Sequence, residues 1–82
     1  LRHMNPENPY HKEALVAGLA MAVRDFEGLC AKHNFPATNE GLTAFCVEVL
    51  ADWRIETKHM ESIIDAAVAN VESERLNGGQ EE

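Results

Sequence analysis

Apolar residues recur along this chain at intervals of three and four positions, which is the period of an α-helix. The first such stripe comprises Leu15, Leu19, Ala22, Phe26, Leu29 and His33. Asn8 is a favoured N-cap residue, and Pro9 suits the first position of a helix. Pro36 ends the pattern, because proline disfavours helical geometry in the residue before it. The pattern therefore predicts a first helix from Pro9 to His33.

A second apolar stripe follows Thr38, which is a favoured N-cap residue. Its predicted buried face comprises Leu42, Phe45, Cys46, Val49, Leu50 and Trp53. The stripe can be continued without glycine or proline through Met60, Ile63, Ile64, Ala67, Val68 and Val71. One interpretation is a single long helix that forms an antiparallel hairpin with the first.

The other interpretation places a break near residues 54–56, with Thr57 capping a third helix over residues 58–76. Ile55 falls off the stripe and would suit a turn residue that packs against the next helix as a hydrophobic staple. Helices in globular proteins average about a dozen residues, which favours three helices over two. Both interpretations give an all-α fold, because no segment alternates strictly between apolar and polar residues.

The ends of the chain contribute little to this fold. Residues 1–4 read as a cloning remnant and residues 5–8 as a flexible polar segment, so residues 1–8 are set apart from the domain. Residues 9–76 form the single predicted domain. The polar, glycine-containing sequence of residues 77–82 predicts a helix stop followed by a flexible acidic tail.

Residues 14–23 form a stretch of ten consecutive positions without a polar side chain. Ten residues span about 15 Å as a helix, which is too short to cross a membrane. A helix that is apolar all round must be buried all round, yet a small monomer leaves one side of it facing water. We therefore expect a homodimeric helical bundle with an interface at Ala14, Leu15, Gly18, Leu19 and Ala22. A monomer with a few exposed alanines is the simpler alternative.

Charge is concentrated in the second half of the chain. The formal net charge is −7, and residues 40–82 carry ten acidic against three basic side chains. Glu48, Asp52 and Glu56 recur at four-residue intervals, which would line one helical edge beside Trp53. An acidic face can simply keep a small protein soluble, or it can dock a basic partner.

Two cysteines and one histidine are the strongest candidates for chemistry. Cys30 and His33 are three residues apart on the first helix, and a hairpin would bring Cys46 near Cys30. Cysteine and histidine are zinc-type ligands, but this spacing matches no common zinc motif. No phosphate loop and no catalytic triad pattern is present. We therefore predict no enzyme activity and no cofactor.

Size, acidity and the lack of catalytic motifs favour a protein-binding regulator, adaptor or inhibitor. The expected partner is another protein, with a basic or nucleic-acid-binding surface, contacted through Glu48, Asp52, Glu56 and Trp53. Direct nucleic-acid binding is disfavoured by the excess of carboxylates. The alternatives are a metal-binding or thiol-active protein that uses Cys30, His33 and Cys46, and a structural subunit of a larger assembly. Two cysteines and no secretory signal predict a cytoplasmic location.

Overall fold

The computed structural model describes residues 5–81, with side chains described for residues 5–76. These residues form three helices and contain no strand: α1 (Pro9–Lys32), α2 (Asn39–Asp52) and α3 (Thr57–Glu81). The all-α prediction is confirmed, and the three-helix interpretation is favoured over the hairpin. The predicted cloning remnant at residues 1–4 lies outside the described residues.

The three helices form a small bundle with a radius of gyration of 13.2 Å. α1 and α3 are parallel. Lys12 Nζ donates to Ser62 Oγ (2.6 Å) near the starts of the two helices, and Arg24 pairs with Glu74 further along both. The short connections at residues 33–38 and 53–56 each reverse the direction of the chain, so α2 runs antiparallel to α1 and α3. α1 and α3 make the most extensive helix pair, and α2 and α3 the least extensive.

The helix starts follow the sequence closely. Asn8 Oδ1 accepts a hydrogen bond from the Tyr10 amide at 3.0 Å, and Thr38 Oγ1 accepts one from the Gly41 amide at 3.1 Å. Each cap satisfies an amide that has no partner within its helix. Both predicted caps are confirmed. Thr57 is the first residue of α3 rather than its cap.

The C-terminal end of α1 closes with a Schellman motif. The Phe35 amide donates to the Cys30 carbonyl (2.8 Å) and the Asn34 amide to the Ala31 carbonyl (3.3 Å). Asn34 has a φ of 60°, the left-handed conformation that this motif requires and that asparagine tolerates. Phe35, which follows, remains 67% exposed.

The C-terminal end of α2 repeats the motif with different side chains. The Ile55 amide donates to the Leu50 carbonyl (3.0 Å) and the Arg54 amide to the Ala51 carbonyl (3.0 Å). Arg54 has a φ of 65°, which is unfavourable for a residue with a Cβ. Ile55 is only 6% exposed and packs in the same core as Leu50, the apolar contact typical of this motif. Burial of Ile55 therefore offsets the strain at Arg54, and α2 ends here without glycine or proline.

The hydrophobic core lies where the three helices meet. Its buried members are Leu15, Val16, Leu19, Ala20, Val23, Cys46, Leu50, Ile55, Met60, Ile63, Ile64, Ala67 and Val71. The predicted faces of α2 and α3 agree with this core. The predicted stripe on α1 is wrong at its C-terminal end, because Leu29 is 55% exposed and His33 is also exposed. α1 packs against two helices, so its buried face is broader at Val16 and Ala20 than a single stripe.

The C-terminal helix extends past the predicted stop. α3 continues beyond Leu76 to Glu81. Glycine lowers helix stability by about 1 kcal/mol relative to alanine but, unlike proline, does not block the helical hydrogen-bond pattern. The flexible tail predicted for residues 77–82 stays a prediction.

Candidate protein-binding surface

A groove runs between α2 and α3 on the outside of the bundle. It has a volume of about 510 Å³ and is lined by Thr43, Val47, Ala51, Thr57, Met60, Glu61, Ile64 and Asp65. Its apolar floor includes Val47, which is 39% exposed, together with Met60 and Ile64 from the edge of the core. It therefore presents apolar surface to solvent beside polar walls.

Two carboxylates line the groove: Glu61 and Asp65 form part of its α3 wall. Glu48 and Asp52 are exposed on α2 but are not among the lining residues. Within the described residues, no ion pair involves any of these four side chains. Unneutralised carboxylates beside an apolar groove give this side of the molecule a negative potential.

The side of the molecule where α1 and α3 meet is different. Arg24 and Glu74 form a two-point ion pair in which Arg24 Nε donates to Glu74 Oε2 at 2.8 Å. Arg75 pairs with Glu27, and the hydrogen bond and charge of that carboxylate raise the pKa of the Arg75 guanidinium above its ordinary value. These two crossed pairs bridge the two helices. Both arginines on this side are therefore paired with carboxylates of the same chain.

The structure separates the four predicted partner-binding residues. Glu48 and Asp52 share an edge of α2, but α2 ends at Asp52, so Glu56 lies on the connection to α3. Glu56 is within 3.6 Å of Lys58 Nζ. Trp53 is the C-cap of α2 and is half-buried against the core. The continuous edge of three carboxylates expected from spacing is therefore reduced to two.

Sequence reasoning missed the groove itself. Val47 and Ala51 are four residues apart on the outer side of α2 and, like Met60 and Ile64 on α3, stack one turn above each other. The signal available in the sequence was a second apolar pair on α2 outside its predicted buried face. Two independent pairs can be recognised as one groove only when the helices are placed side by side.

The predicted dimer residues fall into two groups. Leu15 and Leu19 are fully buried by the chain's own helices. Ala14, Gly18 and Ala22 are half-buried. These small residues are accessible to a second copy only at their outer edges, and the dimer stays a prediction.

The outer side of α1 carries larger apolar side chains that the sequence reasoning did not select. Tyr10 is 81% exposed and Met21 is 62% exposed, and Ala17 lies between them on the exposed face. Their spacing of seven and four residues is the signal that could have identified them.

The cysteine and histidine candidates are not assembled into a site. Among the described residues, no three His, Cys, Asp or Glu side chains are grouped closely enough to hold a metal ion. Cys46 is buried in the core, and this burial raises the pKa of its thiol. Cys30 is half-buried and His33 is exposed. A protonated core thiol is a poor nucleophile and a poor ligand, so Cys46 serves as an apolar packing residue.

None of the described helices combines the length and apolar content needed to cross a membrane. Comparisons with protein-family models, with curated proteins and with solved structures find no match for this chain.

Proposed function

We propose that this protein is a non-catalytic binding protein, a regulator, adaptor or inhibitor, that occupies a basic surface of another protein. The observation that supports this proposal is the contrast in charge pairing. Arg24 and Arg75 are neutralised between α1 and α3, whereas Glu48, Asp52, Glu61 and Asp65 form no ion pair with any described residue.

The arrangement of these carboxylates is not explained by stability within the chain. Like charges four residues apart on a helix destabilise it by about 0.2–0.5 kcal/mol per pair. Glu61 and Asp65 form such a pair on α3, and Glu48 and Asp52 form another on α2. Cations of a basic partner would offset both repulsions, and their attraction to the carboxylates would speed association through long-range steering.

Self-association and location form part of the same proposal. The outer face of α1, with Tyr10, Ala17 and Met21, would pack against a second copy, and the acidic α2–α3 side would remain free for the partner. Light scattering should give the mass of two chains, and Met21→Lys should reduce it to one. Ala69→Lys, an exposed change on α3, is the matched control. Two free cysteines agree with a reducing cytoplasm.

Affinity capture from a lysate of the source organism tests the proposal. The protein should retain one basic protein at about 50 mM salt and lose it at about 500 mM, because screening shortens the reach of surface charges. The double variant Glu48→Gln/Asp52→Asn should weaken capture. Glu7→Gln/Glu13→Gln, which removes the same charge elsewhere, should not.

Two results would refute the proposed function. One is capture that is insensitive both to salt and to the Glu48 and Asp52 changes. The other is capture that the two double variants reduce equally, which would mean that net charge alone governs binding. Circular dichroism of both variants verifies that they remain folded.

A further inference from the structure

We infer that the α2–α3 groove is the docking site, and that its occupant is a basic amphipathic helix of the partner protein. This inference rests on the proposed function, which it makes more specific. It concerns the groove lined by Val47, Ala51, Met60 and Ile64, together with the carboxylates beside it.

The geometry of the groove suits a helix. Each wall offers two apolar residues one turn apart, which places them about 6 Å from each other along the helix axis. Val47 and Ala51 are exposed on the α2 side, and Met60 and Ile64, only 7% and 9% exposed, form the floor on the α3 side. Apolar side chains of a docked helix, spaced by three and four residues, meet this repeat along the groove. Methionine adapts its shape to such side chains.

Charge determines which amphipathic helix fits. Glu61 and Asp65 project from the α3 wall, and both are exposed. They are also one turn apart, so lysine or arginine side chains at four-residue spacing on an incoming helix can reach both carboxylates. An acidic helix would instead bring like charges together beside apolar surface, where repulsion is less screened than in bulk water.

A second copy of this chain is a poorer occupant of the groove. The exposed apolar face of α1 is the segment it would offer, and the charged residues around that face include Glu13, Asp25 and Arg24. Arg24 is already paired with Glu74. The α1 face therefore brings no excess of cations to match Glu61 and Asp65, whereas a basic helix does.

A synthetic peptide provides a defined probe for this groove. An 18-residue helix of leucine and lysine (about 27 Å long), with leucine on one face, is titrated into the full chain and followed by amide NMR shifts. We expect the largest shifts at Val47, Ala51, Met60 and Ile64. The same helix with glutamate in place of lysine should produce none, and a scrambled leucine–lysine peptide should bind at least about tenfold more weakly.

A substitution pair tests whether the groove is the contact. Ala51→Lys places a cation and a long side chain in the groove, and the peptide's affinity should fall by about tenfold or more. Ala31→Lys adds the same charge at an exposed position of α1 outside the groove and should lower affinity less than about threefold. Both positions are exposed alanines within helices, so both variants should fold, as circular dichroism will verify.

Each remaining outcome contradicts the inference. Shifts centred on Tyr10 and Met21 would move docking to α1, and equal loss in Ala51→Lys and Ala31→Lys would mean that net charge alone governs binding. If a captured basic partner depends on Glu48 and Asp52 but is indifferent to Ala51→Lys, the groove inference fails while the proposed function stands. If capture depends on neither, both fail.

Discussion

Both edges of α3 bury apolar residues, but the two edges differ in the side chains and ion pairs at the surface. Where α3 meets α1, crossed ion pairs from Arg24 and Arg75 bridge the helices above a buried Val71. Where α3 meets α2, no such bridge is recorded within the described residues, and Val47 lies partly open in a groove beside Glu61 and Asp65. The charges at the first edge form ion pairs within the chain, and Glu61 and Asp65 at the second edge form none within the described residues.

The two edges of α3 therefore differ in how their charged side chains are paired. Both edges have apolar residues beside a groove: Val16 and Val71 at the α1–α3 edge and Val47 at the α2–α3 edge. Within the described residues only the α1–α3 edge is bridged by ion pairs, and Lys58 at the start of α3 instead lies near Glu56. The contrast predicts that substitutions at the α1–α3 edge change stability, whereas substitutions at the α2–α3 edge change binding.

The largest effect should come from equal valine truncations at the two edges. Val71→Ala removes two buried methyl groups and should lower the free energy of unfolding by about 2 kcal/mol. Val47→Ala removes them from a groove position that is 39% exposed, where the better helix propensity of alanine offsets the small loss. Urea denaturation followed by the fluorescence of Trp53 measures both. Equal losses would show that the α2–α3 groove is structural.

A smaller effect of opposite sign is expected at the turn between α2 and α3. Arg54→Gly relieves a left-handed conformation and should raise the free energy of unfolding by about 1 kcal/mol. Asn34→Gly, at the matching position after α1, should change it less, because asparagine tolerates this conformation better. Thermal unfolding monitored by circular dichroism gives both values. No gain at Arg54 would mean that its side chain makes an offsetting contact.

The ion pairs should contribute modestly and only at the α1–α3 edge. A double-mutant cycle of Arg24→Gln and Glu74→Gln should give a coupling of up to about 1 kcal/mol, because both side chains are partly exposed. The coupling should shrink as salt is raised. Chemical denaturation of the four proteins at two salt concentrations supplies the cycle. A coupling free energy that does not change with salt concentration would contradict an electrostatic interaction between Arg24 and Glu74.

The smallest change in stability is expected for the groove carboxylates. Glu61→Gln/Asp65→Asn removes a like-charge pair on α3 and should leave stability unchanged or raise it by about 0.2–0.5 kcal/mol. The same double variant should weaken binding of the leucine–lysine peptide. A clear loss of stability with unchanged peptide binding would reverse the assignment of the two edges.

Local sequence signals accounted for most of the fold. Asn8 and Thr38 cap their helices as their chemistry predicts, and the spacing of apolar residues identified the buried faces of α2 and α3. Leu29 was placed in the core on the same grounds and is exposed. Periodicity gives the direction of a side chain around the helix axis, but it does not show whether another helix covers that side chain.

The candidate site was less accessible to sequence reasoning. Spacing placed Glu48, Asp52 and Glu56 on one edge, but the turn at Arg54 separates Glu56 from the other two. The apolar pair Val47 and Ala51 carries no motif of its own. It becomes part of a groove only because Met60 and Ile64 come to lie opposite it.

The sequence by itself determined three properties of this protein: the helical period, the two N-caps and the concentration of negative charge after residue 40. These depend on residues within one or two turns of each other, or on composition alone. Tertiary structure decided which cations form ion pairs and which of the described carboxylates do not. Arg24 and Glu74 are far apart in the chain and meet only because α1 and α3 pack in parallel, a contact that no local interaction specifies.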